Sequence, residues 1–188
     1  MSNKERFISI LKETCAGRNV DSLIEYLEQS TDFFDAPAST KFHLCERGGL
    51  LQHSLNVYDT LSALCELYYE DCSKDTIAIV SLLHDICKAN FYKQEMKNVK
   101  TALGWTTQPT YVVDDQLPLG HGEKSVIMIL SSGFKLKENE MLAIRWHMSG
   151  FDAAIKGGEY ALSSAYSKTK LIALLQAADI ICANALES

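Results

Sequence analysis

The stretch Ile77-Ala78-Ile79-Val80-Ser81-Leu82-Leu83-His84-Asp85-Ile86-Cys87-Lys88 decides how the rest of the chain is read. Ile77, Val80, Leu83 and Ile86 recur at every third position, a spacing that stacks side chains on one face of a helix. A helix over residues 75–88 is expected, and it is apolar almost all round, so it belongs inside a core. Close to its end stand an imidazole and a carboxylate, His84 and Asp85. Burying such groups without partners is costly, so something else in the fold must meet them.

Outward from that segment the same helical period returns. Residues 4–15 place Phe7, Ile8, Ile10 and Leu11 on one face, and Asp21 is expected to cap a second helix that buries Leu23, Ile24 and Leu27. Residues 31–40, with Pro37, read as a loop. Gly48-Gly49 precedes a long helix, to about residue 69, with Leu50, Val57, Leu61 and Leu64 at helical spacing. Further helices are expected over 123–131, 137–148 and 167–186, while residues 90–120 hold Gly104, Pro109 and Pro118. Strand alternation is scarce. The expected fold is all-α, a single-domain helical bundle over residues 1–188, with a short β-hairpin insertion around 100–115.

The 188 residues suit one domain, and 47% hydrophobic with 22% charged residues is a globular balance. Apolar runs are broken by charge too soon to span a membrane, and Met1-Ser2-Asn3-Lys4-Glu5-Arg6 leads into an amphipathic segment, not a secretory signal. A cytoplasmic location is therefore expected. Six scattered cysteines without a CxxC pair read as free thiols. The net charge of -6 argues against binding long nucleic acid through phosphate neutralisation, although a bound divalent ion can reverse the field locally for a small anion.

Of five histidines, His53, His84, His121 and His147 are separated by 31, 37 and 26 residues, and Asp179 follows 32 residues later. Each therefore falls on its own element. His53 shares the apolar face of Leu50, Val57 and Leu61, and Asp179 interrupts the apolar run Leu171-Ile-Ala-Leu-Leu-Gln-Ala-Ala-Asp179-Ile-Ile-Cys-Ala183. Taken singly, a core histidine is more often hydrogen-bonded to protein than ligated, and a buried aspartate more often paired with arginine or a backbone amide. Four histidines and two aspartates placed this way point instead to a shared cation, held in a bundle core by imidazole and carboxylate ligands that suit Mn, Fe, Co, Ni or Zn.

The sequence resembles the HD-domain superfamily of metal-dependent phosphohydrolases. Gly48-Gly49-Leu50-Leu51-Gln52-His53-Ser54-Leu55 is similar to its first-histidine motif, and Leu82-Leu83-His84-Asp85-Ile86-Cys87-Lys88 to its naming doublet with a trailing lysine. Gly120-His121-Gly122 and Arg145-Trp146-His147 resemble the extra histidines of two-metal members, and Ala177-Ala178-Asp179 the closing aspartate. The similarity runs in order over about residues 42–183.

It implies that His53, His84, Asp85 and Asp179 hold one ion while His121 and His147 hold a second, with Asp85 bridging. Periodicity alone does not put both His84 and Asp85 on one centre, because adjacent helical residues do not share a face. Two-metal members often carry paired histidines near the fourth position, where Met148 follows His147 here. The implied activity is hydrolysis of a nucleotide or related small phosphoester by metal-activated water attack at phosphorus, with one or two divalent ions as cofactor. A catalytically silent nucleotide sensor, a 3'-5' exonuclease on short single-stranded ends and a purely structural bundle are the alternatives; a homo-oligomer is compatible with all of them.

Lys88, three residues after Asp85, is expected to take part in catalysis and to reach a substrate phosphate, or else to sit solvated at a helix C-terminus. His43, Lys124 and Arg145 are further substrate-contact candidates, the two cations having ordinary ion pairing as their alternative. Lys93, Lys97 and Lys100 would share one side of a helix, most simply a solvated face. Tyr92, Trp105, Tyr111 and Phe151 are aromatic faces able to stack on a base or simply to pack. Gly157-Gly158 suggests a turn near a pocket rim, and Asp152 takes no assignment.

Overall fold

A computed structural model describes residues 1–102 and 104–187. Helix α1 (Asn3–Thr14) opens on a capping box between Ser2 and Glu5, and is followed by α2 (Val20–Gln29), α3 (Gly49–Tyr68) and α4 (Lys74–Leu83). A hairpin of β1 (Tyr92–Thr101) and β2 (Gly104–Val113) comes next. Then come α5 (His121–Ser131), α6 (Glu138–Trp146), the short α7 (Ala153–Lys156) and α8 (Ala161–Tyr166), and α9 (Leu171–Ile181), which widens into a π-helical turn over Cys182–Leu186. Among the described residues no helix is long and apolar enough to cross a membrane.

Helix α3 lies between α4 and α9, α6 packs on α5 and α9, and α1 closes over α3 and α4. The core between them is built from fully buried side chains such as Leu11, Leu50, Leu61, Ile79, Leu82 and Leu175. Burial of each such side chain stabilises the fold by about 1.5–3 kcal/mol. The loop over 31–40 is irregular as expected, yet Phe33, Ala36 and Ala38 are buried in it, and Phe33 packs 5.3 Å from the Phe7 ring. All six cysteines are free thiols.

One buried network joins three parts of the bundle. Arg18, in the α1–α2 connection, donates to both oxygens of Glu140 on α6 (2.8 and 2.9 Å), and Thr76 on α4 donates to the same carboxylate (2.8 Å). Glu140 is fully buried, so this pairing is what makes its burial tolerable.

Several local expectations are corrected. Helix α2 starts at Val20, after Asn19, so Asp21 is an exposed first-turn residue beside Lys12 and not the cap. The hairpin is longer than expected and begins earlier, pairing Tyr92 with Val113 through Thr101 with Gly104. Its strands are exposed on both faces for most of their length. With neither face buried there is no selection for alternating apolar residues, which is why the sequence marked a hairpin but not its full extent. Because residues 92–101 form a strand, Lys93 and Lys97 point to one face and Lys100 to the other. The stretch expected as a helix over 75–88 stops at Leu83, and Ile86–Lys88 form a separate 3-10 turn.

Candidate metal centre

The break after Leu83 positions the doublet. His84 ends α4 in helical conformation, but Asp85 leaves it (φ -104°, ψ 16°). Two consecutive side chains thus turn toward one centre, with His84 Nε2 3.5 Å from Asp85 Oδ2. In an unbroken helix they would diverge. His147 likewise ends α6, and the two histidines use the same local device. His84 Nδ1–H donates to the Ser81 carbonyl (2.8 Å) and His147 Nδ1–H to the Ile144 carbonyl (2.7 Å). Each bond satisfies a carbonyl left open by the end of its helix. A carbonyl only accepts, so the proton sits on Nδ1 and the Nε2 lone pair faces inward.

His53 on α3 is fully buried, with Nε2 3.1 Å from Asp179 Oδ1 and 3.7 Å from Asp85 Oδ2. Asp179 comes from α9, and His121 is the first residue of α5. His121 Nε2 lies 2.7 Å from Asp85 Oδ1, and its Nδ1 is 3.3 Å from Cys87 Sγ. His147 Nε2 is 3.6 Å from the same Asp85 oxygen. The two oxygens of Asp85 therefore face different halves of the cluster: Oδ2 toward His53, His84 and Lys88, and Oδ1 toward His121 and His147.

A close approach of backbone helps to make this convergence possible. Gly122 lies so near α6 that an added Cβ would fall 2.7 Å from the Arg145 carbonyl carbon. That contact brings the His121 ring within 5.2 Å of His147. Two non-glycine residues with positive φ flank the cluster, Leu44 (46°) after His43 and Ser149 (46°) two residues after His147. Left-handed backbone at such residues costs about 1–3 kcal/mol and persists only where the surroundings enforce it.

The grouped histidines and carboxylates are of a kind that could hold a metal ion. Buried His53, His84 and His147 each leave Nε2 without an aligned hydrogen-bond partner. Burial pushes His84 down to about 4, so it is neutral. Burial also opposes a charge on His53, but Asp179 and Glu187 on either side outweigh it and raise it to about 9. Asp85 lies well below the usual carboxylate range, burial being outweighed by Lys88 and the surrounding histidines. Three inward nitrogens, with carboxylates on two sides of them, fit a divalent transition ion; such an ion would replace the protons the carboxylates otherwise hold on the rings.

A cavity of about 220 Å³ opens over the cluster, lined by His43, Asp85, Lys88, His121, His147 and Asp179 among others, with Phe151 exposed at its edge. Lys88 Nζ is 2.7 Å from Asp85 Oδ2. The His43 ring lies 5.1 Å from that of His53, tilted by 40°, and its buried Nε2 is 4.0 Å from Glu187 Oε2 without an aligned hydrogen bond.

Lys124 and Arg145, candidates for substrate contact or for ion pairing, are both paired with protein carboxylates. Lys124 is buried against Asp115 (2.6 Å), and Arg145 lies over Trp146, between Glu123 and Asp152 (2.9 Å to Asp152). Asp152 thereby gains a role, since it also caps α7. Trp105 stands near the hairpin tip, eight residue pairs from the base at Tyr92, or roughly 26 Å along the strand. Glu187, Asn56 and Cys87 were not singled out from sequence, although Glu187 and Asn56 bond to each other at the cluster and Glu187 reaches His53. No spacing or motif marks Glu187; only the path of the chain after α9 brings it there.

The HD domain family matches residues 50–184, from the first turn of α3 into the π-helical turn. No curated protein and no solved structure matches the chain.

Proposed function

We propose, on the premise that this chain belongs to the HD domain family, that it is a metal-dependent phosphohydrolase acting on a nucleotide or related small phosphoester. The observation that carries this reading is the set of inward, unpartnered Nε2 atoms of His53, His84 and His147, grouped around Asp85. A buried polar nitrogen without an aligned partner costs about 1–3 kcal/mol, and three converging on one point suit a function that fills them.

His53, His84, Asp179 and Asp85 Oδ2 would hold one ion; His121, His147 and Asp85 Oδ1 would hold a second. A divalent ion bound there supplies Lewis acidity toward a phosphoryl oxygen and lowers the pKa of water. The protein's own contributions follow from position. Lys88, already ionised beside Asp85, brings a positive charge to the cavity wall where phosphate oxygens would lie. His43 lines the same cavity and is a further candidate to contact the substrate. Apolar Met148 and Ile180 help to exclude water from the pocket. Its volume, about 220 Å³, is below the roughly 300–1,000 Å³ of sites that enclose a whole drug-sized ligand. A pocket of this size would take the phosphate end, with the remainder of the substrate extending past Phe151.

The test is to measure bound metals by mass spectrometry and to screen nucleotides and phosphoesters for phosphate release. Asp85→Ala is expected to abolish hydrolysis and strip metal while helix content stays near that of the parent. Turnover at the parent rate in that variant would overturn the assignment. Retained metal with tight binding of one nucleotide and no turnover of any phosphoester would favour the sensor reading.

A further inference from the structure

We infer that Glu187 is a positioning residue for this centre, holding His53 by the nitrogen that faces away from the metal position. The inference rests on the proposed metal reading, and Glu187 lies outside the residues 50–184 that the family matches.

Glu187 Oε2 lies 2.9 Å from His53 Nδ1, and Oε1 accepts from Asn56 Nδ2 at 2.7 Å. Asn56 is three residues after His53, so the carboxylate spans one turn of α3. Its side chain is only 1% exposed. A third buried carboxylate beside Asp85 and Asp179 is tolerated only where it is partnered, and here His53 and Asn56 partner it.

How it reaches this position is part of the argument. Helix α9 carries Asp179 to the Nε2 side of His53, then widens into the π turn over Cys182–Leu186. A bond from Glu187 N to Cys182 O (3.0 Å) closes that turn. One helix thereby brings a carboxylate to each nitrogen of the same ring. With Nδ1–H donated to Glu187, the ring orientation is fixed, and the carboxylate makes Nε2 a stronger donor to a cation. His84 and His147 receive the same service from backbone carbonyls, whereas His53, in mid-helix, has no free carbonyl to use. A charged side chain from elsewhere takes that place.

The test titrates Co(II) alone into chelator-stripped protein for the parent, Glu187→Ala and Glu187→Gln. Glu187→Ala is expected to weaken Co(II) binding about 10–100-fold. Glu187→Gln, which keeps an acceptor but loses the charge, should recover part of that loss. Melting temperatures of the stripped variants should fall, because Glu187→Ala removes the carboxylate that pairs with His53 and accepts from Asn56, and the titrations are made below those temperatures. In Zn(II)-loaded parent the His53 Nδ1 proton should give a slowly exchanging low-field NMR signal that Glu187→Ala abolishes. Co(II) affinity within two-fold of the parent in both variants, or an unchanged His53 signal, overturns the role of Glu187. A parent that binds no Co(II) refutes the metal centre itself, so the two failures are distinguishable.

Discussion

Replacing Gly122 by alanine tests the geometry at its tightest point. The new Cβ would stand 2.7 Å from the carbonyl carbon of Arg145 and 2.8 Å from its Cα, and nearer still to the carbonyl oxygen. Ordinary contact begins at about 3.4 Å, and every obstructing atom is backbone, so α5 must withdraw from α6 by about 1 Å. His121, the preceding residue, moves with it, whereas metal–ligand distances tolerate only about 0.2 Å. His53, His84 and Asp179 stand on other elements and stay in place. Overpacking of this kind costs about 1–3 kcal/mol, which for a chain of this size lowers Tm by roughly 2–12 °C. Mass spectrometry is expected to count one tightly bound ion fewer per chain than in the parent, and calorimetry to show the lower Tm. Gly150→Ala, where an added Cβ meets nothing within 4 Å, serves as the steric control. If Gly122→Ala keeps both the parent's metal content and its Tm, the argument that close backbone approach assembles the His121–His147 half is refuted.

Two further predictions concern the buried network away from the cavity. Arg18→Ala leaves the fully buried Glu140 with only the more distant Lys137 ammonium (3.9 Å) and should cost about 3–5 kcal/mol in a urea melt; a loss under about 1 kcal/mol would show that Thr76 and Lys137 suffice. Asp75 is held below its ordinary value, burial being outweighed by hydrogen bonds from Ser73 and Lys137 and by the charge of Arg18. Its contribution is therefore complete above the unfolded value of about 3.9 and is lost as pH falls toward the depressed folded value. Denaturation from pH 5 down to 2.5 should show a steeper decline in the parent than in Asp75→Asn, and equal slopes would contradict the assignment.

The helices that carry large apolar faces were legible because burial imposes its period on them. Residues such as Leu50, Val57, Leu61, Ile77 and Val80 announce both the helix and the side it buries. The hairpin was only partly legible, since solvent on both faces leaves no pattern to read. The π turn, the short helices α7 and α8 and the arginine–glutamate network were not legible either, because each depends on neighbours distant in the chain.

Within the candidate site the division is similar. Residue type and placement alone marked His53, His84, Asp85, His121, His147 and Asp179, since polar groups set into apolar segments demand partners. Sequence could not show that α4 ends at Leu83 and so turns His84 and Asp85 to one point. Nor could it show that Arg145 and Lys124 are engaged by carboxylates, or that Glu187 returns to His53. Chemistry that a side chain carries is written locally, but which atom it finally faces is set by how separate helices pack, and packing is a property of the whole core.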